Sequence, residues 1–456
     1  MRKNLLYVFA DQWRYHAMGA VSEDCLCTPN MDMLASESLL CSNALSTYPL
    51  CSPHRGALLT GKHPLSLGLW TNCKVGLPEH VLLESGETTI TDILHRNGYE
   101  NAYIGKYHLD ASEMNYCEAP ESGARNWDAY TPAGERRHNV DFWYSYGAYD
   151  RHLSPHYWHD SQKMITVDRW SVEHETDVLL SFLENRDKER PFCAILSWNP
   201  PHPPYDQVPG YLLNLYPDSS VFPRKNVPES LQESPDFRKK WREYMAAVTG
   251  LDVQLGRIVD YLKEKDLFDD TVLVLSADHG DMLGSHGIYG KNTWYEESIR
   301  IPLIVHDRDI PCGEYSGPIV SEDQLPTLLE LLGVDRPPCI EGKSHLSAIL
   351  DKDGHPRNYS THMMIPGMPE LVAPFRKKGL DNKAFGWRAI RKGRFKLVVD
   401  NGNAPDAIQR KLLYDLKADP YEENPITDSS IEAELLLLLR SELERLDDNF
   451  LLEGRP

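Results

Sequence analysis

The sequence predicts an α/β fold in which a mostly parallel sheet is flanked by helices and followed by a smaller α+β unit. Three observations carry this. Short apolar or β-branched runs alternate with stretches of helical spacing as far as residue 335, the pattern of strand–helix–strand units. The texture then changes after residue 345, where a hairpin and a terminal amphipathic stretch replace the alternation. Finally, 456 residues exceed one ordinary core and suggest a large domain with an appendage. The boundaries read as 1–345 and 346–456.

In order, "NLLYVFA" (4–10) reads as a strand and "TTITDILHRNGY" (88–99) as a helix stopped by Asn97-Gly98. "NAYIGKYH" (101–108) is a strand, "DVLLSFLENR" (177–186) a helix and "FCAILSWN" (192–199) a strand. The longest helix is predicted at 244–268, followed by strands at 270–280 and 300–306 and a helix at 321–334 ending near Gly333. Beyond 345, "FGWRAIRKGRFKLVV" (385–399) reads as a hairpin turning at Lys392-Gly393, and 429–450 as an amphipathic helix. The segment 110–170 has little periodicity. Its aromatic and histidine content suggests a substrate-facing insertion, and the stretch 136–160 offers rings for stacking on sugars; an ordinary loop core is the other reading.

Composition narrows the function. A net charge of −20 argues against a general nucleic-acid binder, although a local cationic site can still hold a small anion because screening cuts off the distant field within roughly 10 Å. The chain has no apolar run of the roughly 18 or more residues that a spanning helix needs. The basic start and short apolar stretch run straight into Asp11 without a small-residue cleavage site. The expectation is a cytoplasmic protein if the chain is complete, and a periplasmic or secreted one if a leader was trimmed. Nine cysteines without a C-x-x-C pair fit a reducing compartment, with most of them serving as small core residues.

Ligands bind beyond the carboxyl ends of parallel strands. Past the first strand come Asp11 and Gln12; the end of the second carries Lys106 and His108; past "FCAILSWN" comes His202 in a proline cage; past 270–277, Asp278 and His279. Alone, each has a plain reading as a cap, turn or loop residue. Together they form one polar, metal-capable edge, and the hard oxygen donors of Asp11, Gln12 and Asp278 suit Ca²⁺ or Mg²⁺, with His279 as a further ligand. Cys51 opens "CSPHRGALLTG" (51–61) at a predicted helix N-terminus, which attracts anions. Arg55 lies one turn along on the same face. A buried core cysteine and an anionic nucleophile are both open here.

"CSPHRGALLTG" resembles the C/S-x-P-x-R…T-G signature of the type I, formylglycine-dependent sulfatases, in a form like the bacterial carbohydrate sulfatases. "GKYHL" (105–109), "PPHPPY" (200–205), "SADHGDMLGSHG" (276–287) and "GKNTWYEESIRIPLIV" (290–305) resemble further segments of that family in its order. "LPTLLELLGV" (325–334) and the stretch 387–425 resemble its smaller domain. This chain departs in carrying His54 before the arginine, Asp-Gln at the first metal pair and Asp-His at the last.

The resemblance implies an alkaline-phosphatase-like fold. It also implies conversion of Cys51 to formylglycine (3-oxoalanine) by a separate maturase that reads the unfolded motif. Asp11, Gln12, Asp278 and His279, with residue 51, would hold Ca²⁺, with Mg²⁺ second. Arg55 and Lys106 would stabilise charge, His108 act as base, His202 as acid toward the leaving alcohol, and Lys291 bridge sulfate and leaving oxygen. His286 reads either as a pocket residue or as a structural loop hydrogen bond. The implied substrate is a sulfated sugar, with galactose or N-acetylgalactosamine sulfate as in mucin or chondroitin fragments put first. Neither nucleic acid nor membrane is expected as a partner, and oligomeric state is not legible. The competing readings are a phosphonate or phosphodiester hydrolase of the same superfamily, a choline sulfatase, a non-catalytic glycan binder, and a metal-dependent thiol hydrolase.

Overall fold

The computed structural model describes residues 2–21, 23–77, 79–351 and 357–452. In chain order the strands are β1 (Asn4–Ala10), β2 (Leu39–Cys41), β3 (Ala44–Leu45), β4 (Glu100–Lys106), β5 (Phe142–Tyr146) and β6 (His156–Tyr157). They continue with β7 (Ile165–Thr166), β8 (Phe192–Trp198), β9 (Thr271–Ala277), β10 (Leu303–His306), β11 (Gly313–Tyr315) and β12 (Ile319–Val320). The last four are β13 (Tyr359–Met364), β14 (Gly386–Lys392), β15 (Phe395–Gly402) and β16 (Arg410–Asp415).

Every residue of β1, β8 and β9 is buried. That is the signature of strands covered on both faces, and it explains their unbroken apolar runs. Eight strands form the main sheet in the order β11-β2-β10-β9-β1-β8-β4-β5. The five from β9 to β5 are parallel, whereas β10 runs antiparallel to both its neighbours. Helices Cys51–Thr60, Ile90–Arg96 and Ser321–Leu331 pack together over Leu5, Tyr7 and Ile195. Helices Pro29–Ser36, Ser171–Asn185 and Pro235–Glu264 form a second packed group, which takes the opposite face.

The antiparallel sheet β13-β14-β15-β16 is buried on both sides. Trp387, Ala389 and Val398 join the main core. Ile390, Leu397 and Val399 pack on Leu435, Leu439 and Leu443 of the terminal helix Ser429–Arg445.

Several expectations need correction. The long helix begins at Pro235, nine residues before the predicted start, and β4 stops at Lys106 rather than at His108. The segment 110–170 is not one irregular insertion, because β5 lies within it as the edge strand of the main sheet. Most of its rings are therefore core: Trp143, Tyr144, Tyr146, Tyr157 and Trp158 are buried, and Tyr144 stacks on Tyr157 with centroids 4.6 Å apart. They are not available to stack on sugars. Nor are most of the cysteines core residues: Cys41, Cys51, Cys73 and Cys193 are buried, but Cys25, Cys27, Cys117 and Cys312 are exposed, and all nine are unpaired.

Candidate active site

The four neighbouring strands β9-β1-β8-β4 end together, with Ala10 in register with both Ala277 and Trp198. The residues at or just past the end of each strand are thus brought to one place: Asp278-His279, Asp11-Gln12, Asn199 to His202, and Lys106 with His108. The helix Cys51–Thr60 points its first turn at the same place. Its N-cap, Leu50, is extended and supplies no side-chain cap. The Ser52 amide instead donates to Asn72 Oδ1 at 2.9 Å, so the first turn is held by a neighbouring loop. Gly61, at φ 65°, closes the far end in the left-handed conformation.

Asp11, Cys51, Asp278 and His279 are buried, with ligand atoms within 4.8 Å of one another. Gln12 completes the set. Its Nε2 donates to Asp281 Oδ2 at 2.5 Å, which leaves Oε1 buried without a partner among the described residues. An orphaned acceptor beside two carboxylates and an imidazole fits a hard cation. Electrostatics agree. Burial and the neighbouring Asp11 hold the Asp278 carboxyl above its usual range. For Asp11 burial acts the same way but is outweighed by Lys106 and Lys291, which keep it well below.

Arg55 clamps this group from beneath. Its guanidinium donates to Asp11 Oδ2 at 3.0 Å, Asp278 Oδ2 at 3.2 Å and the Lys106 carbonyl at 2.7 Å. Lys106 Nζ lies 2.8 Å from Asp11 Oδ2 and donates to Asn199 Oδ1 at 3.0 Å. Lys291 Nζ sits 2.9 Å from Cys51 Sγ. Burial and Asp11 both work against the Cys51 thiolate, but Lys291 and Lys106 prevail and hold its pKa well below that of a free thiol. Residue 51 therefore occupies a cationic cradle, the setting of an anion or nucleophile rather than of a packing residue.

Two histidines flank it in opposite states. His108 Nε2 donates to the Cys73 carbonyl at 3.1 Å, leaving Nδ1 as an unprotonated acceptor toward residue 51. Burial, only partly opposed by Cys51, lowers its pKa and keeps it neutral. Burial would also depress His202, but Asp150 outweighs it and raises the pKa to about 9. His202 Nδ1 lies 3.3 Å from Asp150 Oδ1 and donates to the Pro203 carbonyl at 2.7 Å, which leaves Nε2–H for the cleft. Environments that push two titratable groups apart mark a base and an acid. Gln12 and His108 both hold left-handed backbone, at φ 66° and 51°, a conformation that non-glycine residues keep where the surroundings enforce it.

All ten sequence-predicted residues converge. Gln12, Cys51, Lys106, His108, His202 and Lys291 line a cleft of about 1010 Å³; Asp11, Arg55, Asp278 and His279 lie under its floor. His286 does not join them. It stacks on Tyr295 at 3.8 Å and its amide donates to the Asn226 carbonyl at 2.7 Å, a structural loop residue. Sequence reasoning missed Asp150, Asn199 and Asp281. Asp281 had a signal, three residues past Asp278; Asp150 had none, because its partner is 52 positions away. The C-terminal sheet also walls the cleft, through Met364 to Met368 and Asn403.

Comparison with known proteins agrees with this geometry. The family profile described as Sulfatase matches residues 3–334, and one described as N-sulphoglucosamine sulphohydrolase, C-terminal, matches 284–449. An endo-4-O-sulfatase of Bacteroides thetaiotaomicron is 33% identical over 98% of this chain and 92% of its own. An ulvan-active sulfatase of Formosa agariphila is 30% identical over 98% and 82%. A solved structure from work on glycosaminoglycan metabolism by B. thetaiotaomicron superposes with TM-score 0.89 at 31% identity, covering 98% of this chain and 97% of that one. The chain belongs to the sulfatase family and is a sulfuric ester hydrolase.

Proposed function

We propose that the protein removes O-sulfate from a sulfated carbohydrate, with galactose or N-acetylgalactosamine sulfate as the leading substrate, using residue 51 as formylglycine. The observation that carries this is the cationic cradle around residue 51, flanked by one neutral and one protonated histidine on the floor of an open cleft. The sugar rests on the volume of that cleft and on relatives named for an endo-4-O-sulfate, for ulvan and for N-acetylglucosamine-6-O-sulfate.

The hydrated aldehyde supplies an oxygen nucleophile for sulfur and a second hydroxyl through which sulfate can leave by C–O cleavage. Asp11, Gln12, Asp278 and His279 would hold a divalent cation, Ca²⁺ before Mg²⁺, whose charge favours the ionised oxygen at residue 51. Lys106 and Lys291 bind the sulfate oxygens and oppose the charge that builds on them. Arg55 fixes the two carboxylates. His202 Nε2–H delivers a proton to the departing sugar oxygen, a contribution on the order of 10²–10⁴ in rate. His108 Nδ1 takes the proton from the second hydroxyl.

Mass spectrometry of the peptide spanning residue 51, run with a sulfate-release assay on the same sample, tests the reading. The expected result is an aldehyde in place of the thiol and sulfate released from galactose or N-acetylgalactosamine esters. Active protein with an intact thiol would sink the formylglycine step. Faster turnover of phosphodiesters than of sulfate esters would move the assignment to the superfamily's phosphodiester hydrolases.

A further inference from the structure

Beside the reacting centre, the cleft holds a cation that none of the proposed catalytic steps uses. Lys74 is 3% exposed, and its side chain lines the same cleft as residue 51. It forms no ion pair with any described carboxylate. Among the described residues its ammonium donates only to the Met368 sulfur, at 3.1 Å, a weak acceptor, and it lies 5.2 Å from the centre of the Trp127 ring. A thioether and one ring face are poor compensation for a desolvated charge. Burial, partly opposed by the exposed Glu370, lowers its pKa to about 8, so the side chain still carries charge at neutral pH.

The loop that presents it is rigid. Asn72 Oδ1 accepts from the Ser52 amide, the Cys73 amide donates to Ser52 Oγ at 3.0 Å, and the Cys73 carbonyl accepts from His108. Lys74 is thus bolted, one residue along, to the first turn of the nucleophile helix and to the base. Trp127 in turn lies nearly parallel to the His108 ring, with centroids 6.3 Å apart and planes at 19°. A lysine preorganised in this way, with no paired carboxylate among the described residues, is a receptor for an anion that arrives with the ligand.

We propose that Lys74, backed by Trp127, forms a subsite for a second acidic group on the saccharide, so that the preferred substrate carries a carboxylate or a further sulfate besides the sulfate that is cleaved. The proposal deepens the sugar-sulfatase reading and rests on it. A hexuronate neighbour and a doubly sulfated sugar offer the same chemistry, an oxyanion for the ammonium with a sugar face against the indole.

The test compares kcat/KM on four substrates: a monosulfated N-acetylhexosamine, the same sugar joined to a hexuronic acid, the same sugar with a second sulfate, and 4-nitrophenyl sulfate. Matured wild-type protein should prefer one of the two acidic saccharides over the singly charged sugar, and the preferred one identifies the anion. In Lys74→Met, which keeps much of the stem volume, the ratio of acidic to singly charged sugar should fall at least ten-fold, mostly through KM; Lys74→Arg should restore part of it. Because a ratio is read, general damage to the site cancels. No preference in the wild type, or an unchanged ratio in Lys74→Met, overturns the subsite while leaving the sugar sulfatase standing. Turnover of the aryl sulfate with none of the three sugars accepted overturns the sugar reading and this proposal with it.

Discussion

At the scale of single residues, the site works through charges that nearby groups hold in place. Asp150 touches no reacting atom in the proposed reaction, yet it keeps His202 protonated. In that reaction the protonated form is the acid, so activity should fall as pH rises through the His202 pKa. Asp150→Asn removes the group that raises that pKa, and the alkaline limb of kcat/KM should move down from near pH 9 toward or below the usual histidine value. At pH 8 the loss should be roughly ten- to thirty-fold, shrinking below pH 6; a pH–rate profile reads it directly. A profile that drops equally at every pH would make Asp150 a structural residue. Asp11 and Asp278 lead to a second expectation. Chelation should abolish turnover and lower the melting temperature, with Ca²⁺ restoring both better than Mg²⁺. Differential scanning fluorimetry with a parallel assay checks it.

At the scale of elements, the pairing of β4 with β8 leaves no room for a side chain where the site begins. Gly105, paired with Ser197, has φ 94°, and a Cβ there would stand 2.2 Å from the Ser197 carbonyl oxygen. Gly105→Ala should therefore lower stability by roughly 2–4 kcal/mol and displace Lys106. A urea titration in which the midpoint does not move would refute this. The central strands were legible because their apolar runs end in polar or charged residues, the mark of a parallel strand meeting a site. β5 was not, because "FWYSY" is a run of large rings between an aspartate and a glycine and imitates an aromatic loop. β2 has three residues, too few for any period to show. The ten site residues were legible from strand-end chemistry and motif order. Asp150 and Lys74 were not, because each matters only through a neighbour remote in sequence.

For the whole molecule, the C-terminal sheet does more than cover apolar surface. Lys396 is buried between Glu296 and Glu422, donating to the Trp294 carbonyl at 2.6 Å and lying 3.1 Å from Glu296 Oε1. Trp387 Nε1 donates to the Asn292 carbonyl at 3.0 Å. The loop carrying Lys291 is thus fastened to β14 and β15. Lys396→Met would leave the buried Glu422 without its cation and Glu296 with Arg391 alone, at 3.0 Å, and should cost about 3–5 kcal/mol. Turnover should fall as Lys291 loses its support. Thermal unfolding together with activity at a permissive temperature separates the two effects, and an unchanged melting temperature would refute the first.

The same sheet also closes over the segment just ahead of residue 51. His362 Nδ1 bonds the Ser46 carbonyl at 2.8 Å, the Met363 amide donates to the Thr47 carbonyl at 3.1 Å, and the Ile365 amide donates to Tyr48 Oη at 2.8 Å. Residue 51 itself is 1% exposed. During synthesis those fastening residues leave the ribosome some three hundred positions after the cysteine. On the proposed conversion of residue 51, a modifying enzyme would act within that interval, while the motif is still open. Once the late-made strands dock, the motif would be held in place and an unconverted thiol would stay as it is. Slower elongation between residues 60 and 360 should then raise the converted fraction, and modifier supplied after release of the folded chain should convert none of it.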